Sequence, residues 1–341
     1  MKYSYNWLQT HIKEPLGTPE AIAEIITKHA FEVEEVLSLP TDTVFDIKVL
    51  PDRSHDALSH RGMARELSQL LDLTYVQKDH FLPAATLPAF PLAVNDTKAS
   101  PRFMGMLIKN ILVEDSPTWL KESLETIGQR SINNIVDATN YVLYDFGKPM
   151  HAFDADKVVG TITTRFAVSG ESLTTLDGKL VVLDETILVL ADDEGPLDIA
   201  GIKGGTKAEV DRNTKSVVLV SSNFNSTLIR KTTQKVGIKT DAAKRFENGI
   251  TSELCAPALL ATAELLLSCA KTEATEISEV TDIYPYPESW VYKVGVTTEE
   301  VNKVLGTNLV DRDVEKLLGR RGFKYSSRTL KEVIETEVEK L

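Results

Sequence analysis

The sequence predicts an α+β protein of several domains, and three observations support this class. The chain of 341 residues is too long for one ordinary core, so two or three domains are expected. Apolar residues recur at helical spacing in several stretches, whereas from residue 160 onward they alternate with a period of two, as in strands. The content of 42% apolar and 26% charged residues is typical of globular proteins. We therefore expect a mixed helix and sheet domain flanked by two smaller units.

Residues 1–75 are predicted to form a small N-terminal α+β domain. Thr18-Pro19-Glu20 has the order of an N-cap, a first-turn proline and a first-turn acid, so a helix should run to about His29. The segment TVFDIKVLP predicts a strand that Pro51 ends. The segment SHRGMARELSQLLDL predicts a helix whose buried stripe holds Met63, Leu67, Leu70 and Leu71. Residues 76–97 are rich in proline and lack periodicity, which predicts a linker.

Residues 98–285 are predicted to form the largest domain. Ser116-Pro117 opens a helix that Gly128 closes, and a second amphipathic helix ends at Gly147. After Gly147 we expect a short loop that contains His151. Strands are predicted from TITTRFAV, ESLTTLDGKLVVLD, TILVLAD and SVVLVSS, with a hairpin turn at Asp177-Gly178. Two helices should follow, at about 240–248 and 252–270.

Residues 290–341 are predicted to form a third, truncated domain. Thr297 and Glu300 have the spacing of a capping box, and Asp311 opens a second short helix. Two short helices followed by GFKYSS resemble a winged helix-turn-helix without its full wing. The segment RTLKEVIETEVEKL, residues 328–341, is amphipathic.

The bulk composition excludes several classes of protein. A net charge of −12 argues against binding nucleic acid or anionic membrane over the whole surface, although a local basic patch could still bind RNA. Two cysteines, Cys255 and Cys269, provide neither a disulfide framework nor a cysteine-rich metal site. The N-terminus lacks the apolar core of a signal peptide, and no run approaches the length of a membrane span. We expect a cytoplasmic protein.

Two features of the large domain leave alternatives open. His151 lies two residues after Pro149 and two before Phe153, which is compatible with a packed structural residue or with a group at a site. The glycines of AGIKGG, residues 200–205, match neither a dinucleotide-binding nor a P-loop pattern. They allow the backbone to pass close either to a neighbouring strand or to a small ligand.

Other polar residues carry weaker signals. His55 and His60 lack the spacing of a metal site, so we expect both to be solvated loop or cap residues. The stretch from Leu228 to Asn248 is rich in cations, which indicates either a phosphate-binding surface or a solvated helix with ordinary ion pairs. No nucleophile and base have the order of a catalytic triad.

Several long phrases together resemble one protein family. INNIVDATNYVLYDFGKPMHAFD, IAGIKGG and GIKTDAAKRFENGI are similar to the editing domain of the bacterial-type phenylalanine–tRNA ligase β subunit. LPDRSHDALSHRGMARELSQLL is similar to that family's N-terminal region, with matches at Arg53, Asp56, Gly62, Ala64, Arg65 and Glu66. Residues 296–325 resemble its winged-helix-like domain.

The resemblance implies a site and an activity. In this family the domain hydrolyses tyrosine that has been attached to the phenylalanine tRNA by mistake, a correction needed where a pocket rejects a similar amino acid imperfectly. Carried over, the catalytic positions are His151, Asn140 and Thr240. The substrate pocket would hold Arg130, Thr139, Pro149, Ala200, Gly201, Val220 and Ala242. Contacts to tRNA are expected from Arg230, Lys231, Lys239, Lys244 and Arg245.

The chain also departs from the family pattern. In the family a glutamate recognises the tyrosine hydroxyl, and this chain has Val220 at that position. The valine side chain cannot accept the hydrogen bond, and leaving the hydroxyl unpaired in the pocket would cost about 1–3 kcal/mol. The oligonucleotide-binding domain inserted in the family is absent near residues 40–45. The chain stops at Leu341, before the family's C-terminal half.

The family role implies partners and cofactors. The expected partners are tRNA(Phe) and the α subunit, in a heterotetramer of two α and two β chains. ATP and Mg²⁺ would serve the synthetic site on the α subunit, and this chain should bind no metal or cofactor itself. The alternatives are a free-standing deacylase of mischarged tRNA and a non-catalytic module for RNA binding or assembly.

Overall fold

The computed structural model of the protein describes residues 1–287 and 294–327. These residues form two compact units, one on each side of residues 288–293. Helices and several small sheets occur together in the first unit, so the predicted α+β class is confirmed.

The N-terminal part of the first unit is a three-stranded antiparallel sheet covered by helices. The sheet has the order β1-β3-β2, and Tyr3, Phe45 and Ile47 from it pack against Ile22 and Met63 of the helices. Thr18 caps the second helix through the backbone N–H of Ala21, as predicted. The elements are β1 (Lys2–Ser4), α1 (Tyr5–Gln9), α2 (Pro19–His29), β2 (Glu32–Ser38), β3 (Thr43–Lys48), α3 (Ser54–Ala57) and α4 (His60–Leu71).

Several of the residues that matched the family in this region make close contacts with one another. Arg53 donates to Asp56 at 2.8 Å and to the buried carboxylate of Glu66 at 2.9 Å. A Cβ at Gly62 would lie 1.8 Å from the carbonyl oxygen of Asp56, so no side chain can stand there. Their contacts are structural and lie within the N-terminal part.

The rest of the first unit contains two five-stranded sheets and a two-stranded hairpin. One sheet has the order β12-β11-β10-β7-β4, and the other has the order β14-β5-β13-β6 with β15 also paired to β5. The strands are β4 (Leu92–Val94), β5 (Arg102–Ile111), β6 (His151–Asp154), β7 (Ile162–Phe166), β8 (Ser172–Thr174), β9 (Leu180–Val182), β10 (Leu188–Ala191), β11 (Pro196–Ile199), β12 (Lys203–Gly204), β13 (Ser216–Asn223), β14 (Lys271–Ile277) and β15 (Thr281–Ile283). The helices are α5 (Thr118–Thr126), α6 (Asn134–Phe146), α7 (Ser226–Val236), α8 (Asp241–Phe246) and α9 (Cys255–Cys269).

Strand β13 is buried at every residue and lies between β5 and β6. Its pairing with β6 places Val220 directly opposite His151. His151 therefore begins a strand, and the prediction that it lies in a loop is wrong. Four residues of β6 lack a readable period, and only the long-range pairing with β13 makes them a strand.

Helix α6 has the ends that the sequence predicts. Asn133 caps it by accepting hydrogen bonds from the N–H groups of Ile135 and Val136. Gly147 ends it at a φ of 75°, a conformation that glycine adopts without strain. The chain then turns into β6 within a few residues, so the end of the helix sets the position of His151, the first residue of that strand.

A buried ion-pair cluster joins the N-terminal helices to α6. Asp145 accepts from Trp7 Nε1 at 2.8 Å and from Arg61 Nε at 2.8 Å, and it lies 2.6 Å from His11 Nε2. Burial raises the pKa of the Asp145 carboxyl, but His11 and Arg61 outweigh that effect and hold it below its usual range. The ring of His60 stacks on Trp7 at 4.0 Å and is wholly buried. The prediction for His60 is thus wrong, whereas His55 is exposed as predicted.

The segment expected to be a linker is partly structured. Leu92–Val94 forms β4, which pairs in parallel with β7, and Leu87 forms a bridge with Ser278. The pattern was missed because a three-residue edge strand carries almost no periodicity. The other proposed domain limits stay predictions.

One helical stretch of the described residues, Ser252–Cys269, could cross a membrane by length and composition alone. The expectation that no stretch reaches this length is therefore corrected. Leu259, Ala263 and Leu266 of α9 pack in a core with residues of β5 and β13. Such burial is what a core helix of this composition shows.

The second unit contains two helices, α10 (Thr298–Leu305) and α11 (Asp311–Arg320). Thr297 and Glu300 form the predicted capping box, with Glu300 N donating to Thr297 Oγ1 at 3.1 Å. The amphipathic segment predicted at residues 328–341 lies outside the described residues. The winged-helix likeness stays a prediction.

Candidate functional site: a cavity between two sheets

A cavity of about 450 Å³, counted with its open mouth, lies where the two five-stranded sheets meet. Its walls are mostly apolar and carry a few polar groups, as in sites for small ligands. The lining residues are Pro149, Met150, His151, Leu190, Asp198, Gly201, Ile202, Lys203, Gly204, Val220, Ser222, Phe224, Ala242 and Phe246.

Two rows of paired residues form opposite walls of the cavity. On one sheet, Val220 pairs with His151. On the other sheet, Asp198 pairs with Leu190 on one side and with Gly204 on the other. Side chains directly opposite in antiparallel strands share one face of the sheet. Each row therefore presents its side chains to the same space.

Glycines allow the two walls to approach each other. A Cβ at Gly204 would lie 2.8 Å from Cε1 of His151, and a Cβ at Gly201 would lie 2.9 Å from the rings of Phe224 and Phe246. Gly201 also has a φ of 68°. The glycines of AGIKGG thus pack closely against neighbouring elements, and Gly201 and Gly204 also line the cavity, whereas the approach of a ligand to them stays a prediction.

Burial drives two titrating groups of the cavity, His151 and Asp198, towards their neutral forms. It lowers the pKa of His151 to about 4, so the imidazole is neutral near pH 7. It raises the pKa of the Asp198 carboxyl to about 7. Lys203 is directed to Asp177, with 4.0 Å between Nζ and Oδ2.

Five of the predicted pocket residues line the cavity: Pro149, His151, Gly201, Val220 and Ala242. Two other predicted residues lie behind the lining. Ala200 is buried beside Gly201, and Thr240 donates to the carbonyl oxygen of Ile202 at 3.0 Å while it caps α8.

The structure does not bring Arg130, Thr139 and Asn140 to the lining. Arg130 is exposed between α5 and α6. Thr139 is buried on α6 and donates to the carbonyl oxygen of Val136 at 2.7 Å. Asn140 is half-buried on the same helix. The expectation that they converge with His151 on this cavity is not met.

The expected tRNA contacts divide into exposed and buried cations. Lys231, Lys239 and Lys244 are exposed, and Arg230 is exposed but donates to the carbonyl oxygen of Glu247 at 3.0 Å. Arg245 is wholly buried, and its Nη2 donates to the carbonyl oxygen of Leu58 at 2.9 Å. The prediction that Arg245 contacts RNA is therefore corrected, because its guanidinium joins α8 to the N-terminal part.

Sequence reasoning missed several lining residues, above all Asp198 and Ser222. The available signal for Asp198 was a single acid between Leu197 and Ile199 in an otherwise apolar run. In a strand such an acid points to the opposite face from its neighbours. Among the described residues, no group of three His, Cys, Asp or Glu side chains has the arrangement of a metal site.

Comparison with known proteins finds a family model that covers the region of the cavity. The profile of the B3/4 domain matches residues 99–271, a range that contains every lining residue of the cavity. The chain belongs to the B3/4 domain family.

Its relatives are phenylalanine–tRNA ligase beta subunits, so the resemblance read from the sequence is confirmed. The subunit of Carboxydothermus hydrogenoformans is 37% identical over 86% of this chain and 37% of its own length. Those of Fusobacterium nucleatum and Geobacter metallireducens are 36% and 35% identical, over 84% and 87% of this chain and 36% and 39% of their own lengths. This chain thus spans little more than a third of the curated relatives that it matches.

A solved structure is also similar to the chain. It is an N-terminal fragment of the phenylalanyl-tRNA synthetase beta subunit from Pyrococcus horikoshii, with a TM-score of 0.43 and 15% identity over 94% of this chain and 88% of that one.

The raised pKa of Asp198 predicts how stability depends on pH. Between about pH 4 and pH 7 the folded protein keeps a proton that the unfolded chain has released, so this group's contribution to stability falls as pH rises. Asp198→Asn removes the effect. The variant should therefore gain stability relative to the wild type as pH rises through this window, measured by urea unfolding at several pH values. A difference that does not change with pH would mean that Asp198 is ionised throughout.

Proposed function

We propose that this chain hydrolyses the ester bond of a mischarged aminoacyl-tRNA, as an editing module of phenylalanine–tRNA ligase. One observation carries the proposal: four segments distant in sequence bring His151, Gly201, Val220 and Ala242 to one cavity. These are positions that the resemblance assigns to an editing pocket. The cavity's apolar walls fit an amino acid side chain.

His151 is suited to hold the attacking water. In ester hydrolysis, water adds to the acyl carbon, the bond to the ribose oxygen breaks, and a carboxylate and a ribose hydroxyl are released. The neutral imidazole can accept a hydrogen bond from that water, whereas an imidazolium could not. A pKa of about 4 makes it a weak base, so we assign it the role of orienting the water.

The exposed lysines offer a surface for the RNA. Lys231 lies on α7 and Lys244 on α8, and α8 also contributes Ala242 and Phe246 to the cavity wall. In a chain with a net charge of −12, this cluster would attract a phosphate backbone locally. A tRNA end held there would reach the cavity from the α8 side.

The wider role follows from the relatives and belongs to the same proposal. Within the cytoplasm the chain would act with an α subunit and tRNA(Phe). Synthesis of phenylalanyl-tRNA, with ATP and Mg²⁺, would take place on the α subunit. A free-standing deacylase would use the same cavity without that partner.

A second candidate is a non-catalytic RNA-binding or assembly module. It is favoured by the position of Arg130, Thr139 and Asn140 away from the lining. Two of the three side chains expected to act in catalysis, Asn140 and Thr240, do not line the cavity. The surface contacts to RNA would be the same in both candidates.

His151→Ala should reduce the release of labelled tyrosine from tyrosyl-tRNA(Phe) by about a hundredfold, the lower range of effects for lost acid–base or water-orienting groups. The matched control is His29→Ala, which removes an exposed histidine at the end of α2. Equal rates for wild type and His151→Ala, both at the rate without enzyme, would favour the non-catalytic module.

Replacing Lys231, Lys239 and Lys244 together by glutamine should weaken binding of tRNA(Phe). Each lost phosphate contact also reduces the slope of log K against log salt by about one. Lys235→Gln is the matched control, because that lysine already pairs with Asp184 and donates to Thr186 at 3.0 Å. A slope that the triple variant leaves unchanged would place the RNA elsewhere.

A further inference from the structure

Asp198 is a buried acid whose carboxyl lacks a protein partner in the cavity wall. The residue is 7% exposed, and its Oδ1 receives no hydrogen bond from the part of the chain that the structure describes. It lies in β11 between Leu197 and Ile199, both of which are wholly buried. Its side chain points to the opposite face of the strand from these two. On that face it lines the cavity, across from His151 and Val220 of the other sheet.

A carboxyl in this position costs stability unless something satisfies it. An unpaired buried polar group costs on the order of tenfold or more in the folding equilibrium, and most such groups in native proteins do have partners. The other titrating side chains of the lining do not supply one, because Lys203 is directed to Asp177 and no hydrogen bond joins His151 to Asp198. A ligand that fills the cavity lies in a position to supply that partner.

The surrounding walls limit the chemistry of that ligand. Leu190 is the direct cross-strand neighbour of Asp198, and Val220, Phe224 and Phe246 complete an apolar lining. Gly204, on the other side of Asp198, adds no side chain. A ligand that fits has an apolar body and one hydrogen-bonding group that reaches the carboxyl.

We propose that Asp198 determines specificity by hydrogen bonding to a hydroxyl on the side chain of the bound amino acid, so that the cavity takes a hydroxylated aromatic residue in preference to a plain one. The inference rests on the proposed function, which supplies the aminoacyl ligand. Val220 provides no acceptor, and Asp198 supplies a polar group from the facing sheet.

A hydroxyl can form a hydrogen bond with this carboxyl in either protonation state. Near pH 7 the group is divided between its neutral and ionised forms, since burial raises its pKa to about 7. A hydroxyl can donate to the carboxylate and can accept from the protonated acid. An ammonium group would gain its full attraction only from the ionised form. The α-amino group of the amino acid is thus the alternative ligand that the experiment must separate.

The experiment compares tyrosine with phenylalanine in two measurements on the 341-residue chain. Calorimetry gives the affinities for the two 3′-amido-3′-deoxyadenosine analogues, in which an amide replaces the ester and prevents hydrolysis. Release of labelled amino acid from tyrosyl-tRNA(Phe) and phenylalanyl-tRNA(Phe) gives the two rates. The variants are Asp198→Ala, Asp198→Asn, which keeps an acceptor, and the exposed control Glu185→Ala.

The wild type should prefer the tyrosine compounds by about tenfold or more, the worth of one hydrogen bond to a buried acid. Asp198→Ala should bring the ratio close to one while affinity for the phenylalanine analogue is kept, and Asp198→Asn should restore part of the ratio. Glu185→Ala should match the wild type. Unfolding midpoints at neutral pH identify any variant that fails to fold.

Two results would overturn the inference. An unchanged tyrosine preference in Asp198→Ala would show that another group reads the hydroxyl. An equal loss for both amino acids, with the ratio unchanged, would assign Asp198 to the α-amino group. If the analogues show the predicted preference while neither ester is hydrolysed, the proposed hydrolysis is contradicted but the proposed role of Asp198 is supported.

Discussion

The pairing of β13 with its two neighbours is the constraint on which the cavity depends. All eight of its residues are buried, with β5 along one side and β6 along the other. Because side chains alternate along a strand, a slip of one residue would turn Val220 and Ser222 away from the cavity and move His151 from its place opposite. The geometry of the site is therefore fixed by the register of a core strand and not by a mobile loop.

The electrostatic environment inside the cavity differs from that on the surrounding surface. Inside, burial favours the neutral forms of His151 and Asp198, so the walls can take an uncharged side chain without a large cost. Outside, lysines of α7 and α8 are exposed, and the proposed function assigns them to the phosphate backbone of the RNA. Arg245 of α8 is buried instead, where it donates to the carbonyl of Leu58 and joins the helix to the N-terminal part.

Local signals were readable from the sequence, and long-range pairing was not. Thr18, Gly147 and the Thr297–Glu300 box act within a few residues, so the ends of α2, α6 and α10 could be predicted. Strands β4 and β6 exist only through partners distant in sequence, and both were missed. Polarity alone also suggested that His60 and Arg245 were exposed, since their buried partners come from other elements. Asp198 was missed for the same reason, because its importance arises from the facing sheet.

The most direct measurement is a crystal structure of the chain with the tyrosine amide of 3′-amino-3′-deoxyadenosine. The tyrosine ring should lie between Val220 and Phe246, with its hydroxyl within hydrogen-bonding distance of Asp198 and the amide carbon beside His151. A ligand bound outside the two facing sheets, for example against Asn140 and Arg130 on the α6 side, would contradict the assignment of this cavity as the site.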